Sequence, residues 1–378
     1  MRWSFRIGRL FGIDVFVHAT FLLLLAWIVL GSYLATQNWA VAVDQLIFVV
    51  LVFTIVVLHE YGHALTARAF GIPTRDITLL PIGGVARLER MPEKPSQELL
   101  VALAGPAVNV VLAVLCYAWA SADGTLAEGL ARASAPAPPE DMVRPLIVTS
   151  LSVRLLAINV GLVVFNMIPA FPMDGGRVLR ALLAMRLDYV RATRIAAVIG
   201  QALALGFGFL GLMSGNFMLM FIALFVWIGA AQEAGATAQR SVLAGIPVRQ
   251  AMITKFERVA PLDTMDQVAA HILEGFQHDF PVLDDGRVVG MITRPQLLTA
   301  LAQDGPRGKV ADVMTRDFLV VRPDEMLTDV VARLQECDCQ SLPVLEGQTL
   351  IGIVTAENIG EFLMIRSALL PNRAANPN

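Results

Sequence analysis

His59, Glu60 and His63 stand in the stretch Leu58-His-Glu-Tyr-Gly-His-Ala64, at the end of an apolar run that begins at Leu46. On an α-helix, residues four apart share a face, so both imidazoles reach one ion. Glu60 lies on the neighbouring flank, three residues before His63, where it reaches a water without being a ligand. H-E-x-x-H therefore reads as two metal ligands and a general base. Zinc suits imidazole and oxygen ligands, and its catalytic sites use three protein groups and leave one position open. A charge at mid-bilayer costs roughly 2.5–3.5 kcal/mol on insertion scales. That penalty argues against the alternative, histidines merely satisfied by polar neighbours in a helix bundle.

A third ligand must come from elsewhere. Asn166-Met-Ile-Pro-Ala-Phe-Pro-Met-Asp-Gly-Gly176 directly follows another apolar segment, and Asp174 is its only acid. Pro169 and Pro172 interrupt a helix, and Gly175-Gly176 lets the backbone turn sharply. Unwound backbone at membrane depth is tolerated where protein covers it or it lines a water-filled cavity. The competing reading is a prolyl-glycyl loop whose aspartate caps the next helix. Asp14, Asp44 and Glu89 are alternative third ligands, weaker on spacing.

The elements that must hold these groups are apolar. The chain is 56% hydrophobic and 16% charged, with mean hydropathy +0.63, which points to membrane spans. Six segments approach the length that crosses about 30 Å of hydrocarbon: Val15–Leu34, Leu46–Phe70, Leu99–Ala120, Leu146–Phe165, Ile195–Met213 and Phe217–Ala234. The first is too long for a signal peptide and lacks a clear small-x-small cleavage site, so it is read as retained. Arg2, Arg6 and Arg9, then Arg68, Arg75, Arg87, Arg90 and Lys94, then Arg177, Arg180, Arg186 and Arg191 crowd alternate connections. By the positive-inside rule both termini lie in the cytosol, and the protein is a multi-pass inner or plasma membrane protein. The net charge of -3 gives no reason to expect nucleic acid. Cys116, Cys337 and Cys339 form no disulfide framework and read as reduced thiols.

Two stretches alternate as strands, Arg6–Val17 and Ile77–Leu88, with Gly83-Gly84 as a hairpin turn. Such a sheet at the membrane surface offers an edge that pairs with an unwound substrate by β-addition, or it is purely structural. From Val248 to about Phe362 the chain is soluble in character and repeats itself. A shift of 62 positions aligns Met252 with Met314, Val259 with Val321, Pro281-Val282-Leu283 with Pro343-Val344-Leu345, and Gly290–Thr293 with Gly352–Thr355. Each copy reads as helix, strand, turn, strand, helix. The pattern resembles a tandem pair of cystathionine-β-synthase (CBS) modules, at 248–303 and 310–363, within a second domain at 241–370. Residues 1–240 form the membrane domain, and residues 371–378 read as a disordered tail.

H-E-Y-G-H, followed about a hundred residues later by N-x-x-P-x-x-P-M-D-G-G, resembles the site-2 protease family of intramembrane zinc metalloproteases, peptidase family M50. Pro81-Ile-Gly-Gly-Val-Ala86 and Gly105-Pro-Ala-Val-Asn109 extend the resemblance, and the repeat places it with the CBS-bearing prokaryotic members. Met173 stands where the family usually has leucine. The resemblance implies six transmembrane helices with a small interfacial β-sheet, followed by the soluble α/β CBS pair. It implies one zinc on His59, His63 and Asp174, Glu60 as catalytic base, and Asn166 near the scissile carbonyl. The implied substrate is a single-pass membrane protein, such as an anti-sigma factor or a membrane-tethered transcription factor. CBS pairs often associate face to face, which would make a homodimer. Their cleft often binds an adenine nucleotide beside the G-x-x-T element, here ending at Thr293 and Thr355, with a ribose-holding aspartate in T-x-x-D. This chain has Gln296 and Asn358 in that place, so weak nucleotide binding or none is expected. Two other classes compete: a CBS-regulated metal or ion transporter, and a non-catalytic relative that binds membrane proteins. A transporter would show polar groups at several depths. A non-catalytic relative would be expected to lose Glu60 or a ligand. Arg154 and Asn159 are the polar residues left without a role.

Overall fold

The structure, a computed structural model, describes residues 3–81, 83–88, 94–134, 150–303, 305–337 and 339–369. Two compact units divide the chain between Thr237 and Ala238.

The first unit opens with strands β1 (Ser4–Leu10) and β2 (Ile13–His18). Helices α1 (Ala19–Thr36) and α2 (Trp39–Ala69) follow, then β3 (Thr74–Leu80) and β4 (Gly83–Leu88). The sheet order is β1-β2-β3-β4, with β2 and β3 parallel and both outer pairs antiparallel. Ile13, Val15 and Val17 alternate inward and are buried. Val15–His18, expected to begin the first span, is therefore strand, with Val15–Val17 registered against Ile77–Leu79 and His18 against Ser4. The helix starts only at Ala19, where the His18 ring accepts the Thr20 N–H at 3.3 Å. The alternating stretch Arg6–Val17 is a hairpin of two strands. Phe11 and Gly12 hold φ of 51° and 82°, the left-handed pair that suits a two-residue turn. The second turn falls at Pro81 rather than at Gly83-Gly84, which pair with Leu80 and Leu79. Gly84 serves a close approach, since a Cβ there would stand 3.0 Å from Val56 Cγ1 and 3.1 Å from Glu60 Cγ. The sheet thus rests directly on α2.

The remaining helices of this unit are α3 (Pro95–Ala122), α4 (Thr125–Ser134), α5 (Leu151–Asn166), α6 (Asp174–Ala184), α7 (Tyr189–Ser214) and α8 (Phe217–Leu243), the last crossing the unit boundary. Among the described residues, α1, α2, α3, α7 and α8 are long and apolar enough to cross a membrane. The sixth expected span is the shorter apolar helix α5, and its expected start at Leu146 lies outside the described residues. With 31 residues, α2 is the longest. It begins at Trp39 rather than Leu46, because Asn38 Oδ1 accepts the Ala40 N–H at 2.9 Å and caps it. Arg154 of α5 pairs with Asp44 of α2 at 2.8 Å and lies 4.5 Å over the Phe48 ring.

The second unit contains α9 (Met265–Glu274), β5 (Phe280–Asp284), β6 (Arg287–Ile292), α10 (Arg294–Gln303) and α11 (Val310–Val313), then α12 (Leu327–Cys337), β7 (Ser341–Glu346), β8 (Thr349–Thr355) and α13 (Ala356–Leu369). Each copy has an antiparallel hairpin joined by a parallel bridge, Val259 to Val282 and Val321 to Val344. The copies exchange their leading segments. Ile253 bridges Ile353, and Thr315 bridges Met291. Leu243, Ile246 and Val248 accordingly lie in the core of the second copy, and Val310 in that of the first. Cys337 and Cys339, expected as free thiols, are joined, with their Cα atoms 5.1 Å apart, within disulfide reach.

Candidate metal centre

Three residues from two helices converge on one buried point. His59 and His63 come from α2, four residues apart, with their rings at 4.7 Å and nearly perpendicular. Asp174 is the first residue of α6. Its Oδ2 lies 3.2 Å from His59 Nε2 and 3.2 Å from His63 Nε2, and the two Nε2 atoms are 3.1 Å apart. All three residues are at least nine-tenths buried.

The far side of each ring decides what the near side offers. His59 Nδ1 donates to Asn109 Oδ1 at 2.5 Å. Asn109 Nδ2 donates to Asn159 Oδ1 at 3.1 Å, and Asn159 Nδ2 to the Leu155 carbonyl at 2.9 Å. His63 Nδ1 donates to the Val101 carbonyl at 2.7 Å. With both Nδ1 protons committed, the two Nε2 atoms of neutral rings carry only lone pairs. Two nitrogen lone pairs and a carboxylate oxygen then face one another at hydrogen-bonding distance with no proton among them. A cation resolves that repulsion, and the donor set of two imidazoles and a carboxylate suits zinc. Hydrogen bonds to the other ring nitrogen are the usual way a ligating histidine is held.

The packing around the point leaves little slack. Gly105 of α3 lies beneath the donor atoms: a Cβ there would stand 2.3 Å from His63 Nε2 and 2.6 Å from His59 Nε2. Gly62 lets α2 and α3 approach, its ideal Cβ only 2.7 Å from the Ala104 carbonyl. The loop expected between Asn166 and Asp174 is present and folds back onto the first turn of α6. Asp174 does not cap that helix, because Met173 occupies the cap position.

Glu60, expected as the base, sits one residue along α2, and its Oε2 accepts the Ala86 N–H of β4 at 3.2 Å. Asn166 closes α5, half-buried, and makes no side-chain hydrogen bond among the described residues. It is not hydrogen-bonded to His59, Glu60, His63 or Asp174. Of the alternative ligands, Asp14 pairs with Arg6 at 2.8 Å and Asp44 with Arg154, while Glu89 lies outside the described residues. Sequence reasoning gave Asn109, Asn159 and Gly105 no part in this centre, although Gly105-Pro-Ala-Val-Asn109 stood among the motifs of the family resemblance and Asn159 was a polar residue in an apolar helix.

In the second unit, Thr293 and Thr355 are half-buried and each bonds within its own copy. Thr293 Oγ1 and N–H bond Gln296 Oε1 at 3.0 and 2.9 Å, and Gln296 Nε2 donates to Thr315 Oγ1 at 2.6 Å. Thr355 Oγ1 accepts the Asn358 N–H at 3.0 Å, and the Asn358 amide donates to the Ala251 carbonyl.

Comparison with known proteins gives consistent matches. The model of peptidase family M50 matches residues 47–207, and the CBS domain model matches residues 248–303 and 310–364. The chain is 31% identical over 361 residues to a zinc metalloprotease of Methanocaldococcus jannaschii, covering 95% of this chain and 96% of that one. It is 28% identical over 388 residues to Rip3 of Mycobacterium tuberculosis, covering 96% and 93%. Among solved structures it resembles a site-2 protease from Methanocaldococcus jannaschii at 35% identity, covering 61% of this chain and 95% of that one, with a TM-score of 0.42.

Proposed function

The chain belongs to peptidase family M50, the site-2 proteases, with CBS domains attached, and from that premise we propose that it cuts a peptide bond within or near the transmembrane segment of a membrane-tethered protein. It is a zinc-dependent protease. The observation that carries the finer reading is the convergence of His59, His63 and Asp174 at 3.1–3.2 Å inside the apolar unit, with Glu60 beside them. His59, His63 and Asp174 would hold the zinc.

A bound zinc supplies a Lewis acid that polarises a carbonyl and makes water a nucleophile near neutral pH. The chain's own groups do the rest. Glu60 takes a proton from the attacking water as its oxygen bonds to the carbonyl carbon. It returns that proton to the nitrogen as the C–N bond breaks. Asn166, whose side chain makes no hydrogen bond among the described residues, donates to the carbonyl oxygen as negative charge develops there. Edge strand β4 lies against α2 beside Glu60, which supports a substrate held extended by β-addition. The fitting substrate is a single-pass membrane protein of the anti-sigma or tethered transcription factor type. The arginine-rich connections favour cytosolic termini and a cytosolic CBS pair.

The CBS pair is read as a dimerising or substrate-docking module without nucleotide control. Its support is the engagement of Gln296 and Asn358 in bonds within the module. An amide also lacks the charge-assisted hydrogen bond of the usual carboxylate.

Glu60→Gln tests the reading. In purified full-length protein it is expected to keep about one zinc per chain. It should lose cleavage of a tethered reporter by more than roughly a hundredfold. Retained cleavage in a preparation free of other proteases would remove Glu60 from the mechanism. Pull-down with Glu60→Gln as a trap, followed by mass spectrometry of the captured membrane proteins, identifies the substrate.

A further inference from the structure

Among the described residues of the first unit, the most buried charged side chain takes no part in the proposed chemistry. Arg180 is 1% exposed and lies on α6, six residues after Asp174. Its Nε and one terminal nitrogen donate to Glu98 Oε1 of α3 at 2.8 and 2.5 Å. Its other terminal nitrogen donates to Glu233 Oε1 of α8 at 2.5 Å. The guanidinium lies 5.0 Å over the Tyr189 ring of α7 and 4.9 Å over the ring of Phe171, which stands in the loop three residues before Asp174. Tyr189 also donates to Glu98 Oε1 at 3.5 Å. One side chain thus touches three neighbouring helices and the loop on the other side of Asp174.

We propose that Arg180 is the positioning residue for Asp174, holding the carboxylate at the distance from the histidine pair that zinc binding requires; the proposal rests on the reading of Asp174 as a ligand. The helix that receives the Arg180–Glu98 bonds, α3, also carries Gly105 under the two Nε2 atoms. It further supplies Val101 and Asn109, which orient the two rings. The Glu98 pair therefore ties the bed of the histidines to the helix of the third ligand. Phe171 under the same guanidinium ties down the chain entering that helix. Loop and helices otherwise approach closely at glycines: a Cβ at Gly229 would stand 2.6 Å from Pro172 Cδ, and one at Gly200 3.2 Å from Ala170 Cα. An apolar side chain would fill the same volume. Only a planar fork of fixed N–H donors specifies direction to two carboxylates at once. A metal centre needs its ligands within about 0.5 Å of the productive geometry, which packing by apolar contacts alone specifies poorly.

The test compares zinc affinity, by chelator competition, and zinc-edge X-ray absorption in full-length Arg180→Met, Arg180→Lys, Glu233→Gln and Asp174→Asn, with thermal unfolding on each. Arg180→Met is expected to bind zinc about 10–100-fold more weakly, the range for lost outer-shell support, with a disordered oxygen ligand in the absorption spectrum. Arg180→Lys keeps the charge without the fork and should recover part of that affinity at similar thermal stability. A purely structural arginine would lower the unfolding temperature and leave the affinity of the folded protein unchanged. That outcome overturns the proposal. If Arg180→Met does not fold, Glu233→Gln and Arg180→Lys decide it, and wild-type affinity in both overturns it. Wild-type affinity in Asp174→Asn refutes the ligand reading itself, which the arginine variants alone do not.

Discussion

Asn109 and Asn159 decide which nitrogen of His59 faces the ion. Each amide in the series donates onward, from Asn109 to Asn159 and from Asn159 to the Leu155 carbonyl, so Asn109 must present oxygen to the ring. The ring then carries its proton on Nδ1 and leaves Nε2 as a ligand. His63 is held differently, by a backbone carbonyl that no substitution removes. Asn159→Leu is close to isosteric and breaks the series at its middle. Zinc affinity is expected to fall about tenfold, as for other outer-shell losses, with the fold retained; chelator competition alongside thermal unfolding reads both. Unchanged affinity would mean Asn109 orients His59 without help. Both asparagines are fully buried, so the same variant also leaves the Asn109 amide without its acceptor, at a cost of about 1–3 kcal/mol in stability.

At the scale of elements, the sheet and α2 act as one piece. The Ala86 N–H of β4 reaches Glu60 rather than another strand, and Gly84 allows the close approach that makes this contact. An edge strand accepts proline where its N–H does not serve the ladder. Ala86→Pro should therefore keep the sheet and the zinc while releasing Glu60. Misplacement of a reacting group by about 1 Å costs on the order of 10²-fold in rate, and a loss of that size in reporter cleavage is expected at unchanged zinc content. Full activity would show that Glu60 is oriented without the strand. The helix ends carry similar weight. Asn38 and Asp188 cap α2 and α7 with side-chain oxygens, which sets where two of the long helices begin.

The whole molecule joins an apolar unit to a pseudo-symmetric soluble one. Within the soluble unit the two copies are interlocked: Met252 packs on Gly352 and Met314 on Gly290, each glycine leaving room for a sulfur that a Cβ would meet at 2.9 and 2.6 Å. Exchange of the leading segments means that neither copy completes its core alone. The positions where a ribose-binding aspartate would stand are engaged in this interlock, Gln296 with Thr315 and Asn358 with Ala251. Titration of the full-length protein with ATP, ADP and AMP is expected to show no binding tighter than about 10 μM and no change in cleavage at millimolar nucleotide. Tighter binding that is lost on mutating Thr293 or Thr355 would restore nucleotide control as the role of the module.

His59 and His63 were legible as a pair because helical spacing is local, and the repeat because its two copies align without a gap. The apolar runs likewise marked the spans, since length and composition alone decide whether a helix crosses a bilayer. Local signals were weaker where two structures share one pattern. Val15–His18 is apolar enough for a span and alternates enough for a strand, and only its pairing with β3 settles which. The approach of Asp174 to α2 across 115 residues, the path from His59 to Leu155, the pairing of Arg154 with Asp44, and the gathering of Glu98, Glu233 and Phe171 around Arg180 were decided by tertiary structure. Each depends on how helices are rotated and shifted against one another. That register comes from glycines and side chains meeting across interfaces, and no periodicity within a single segment records it.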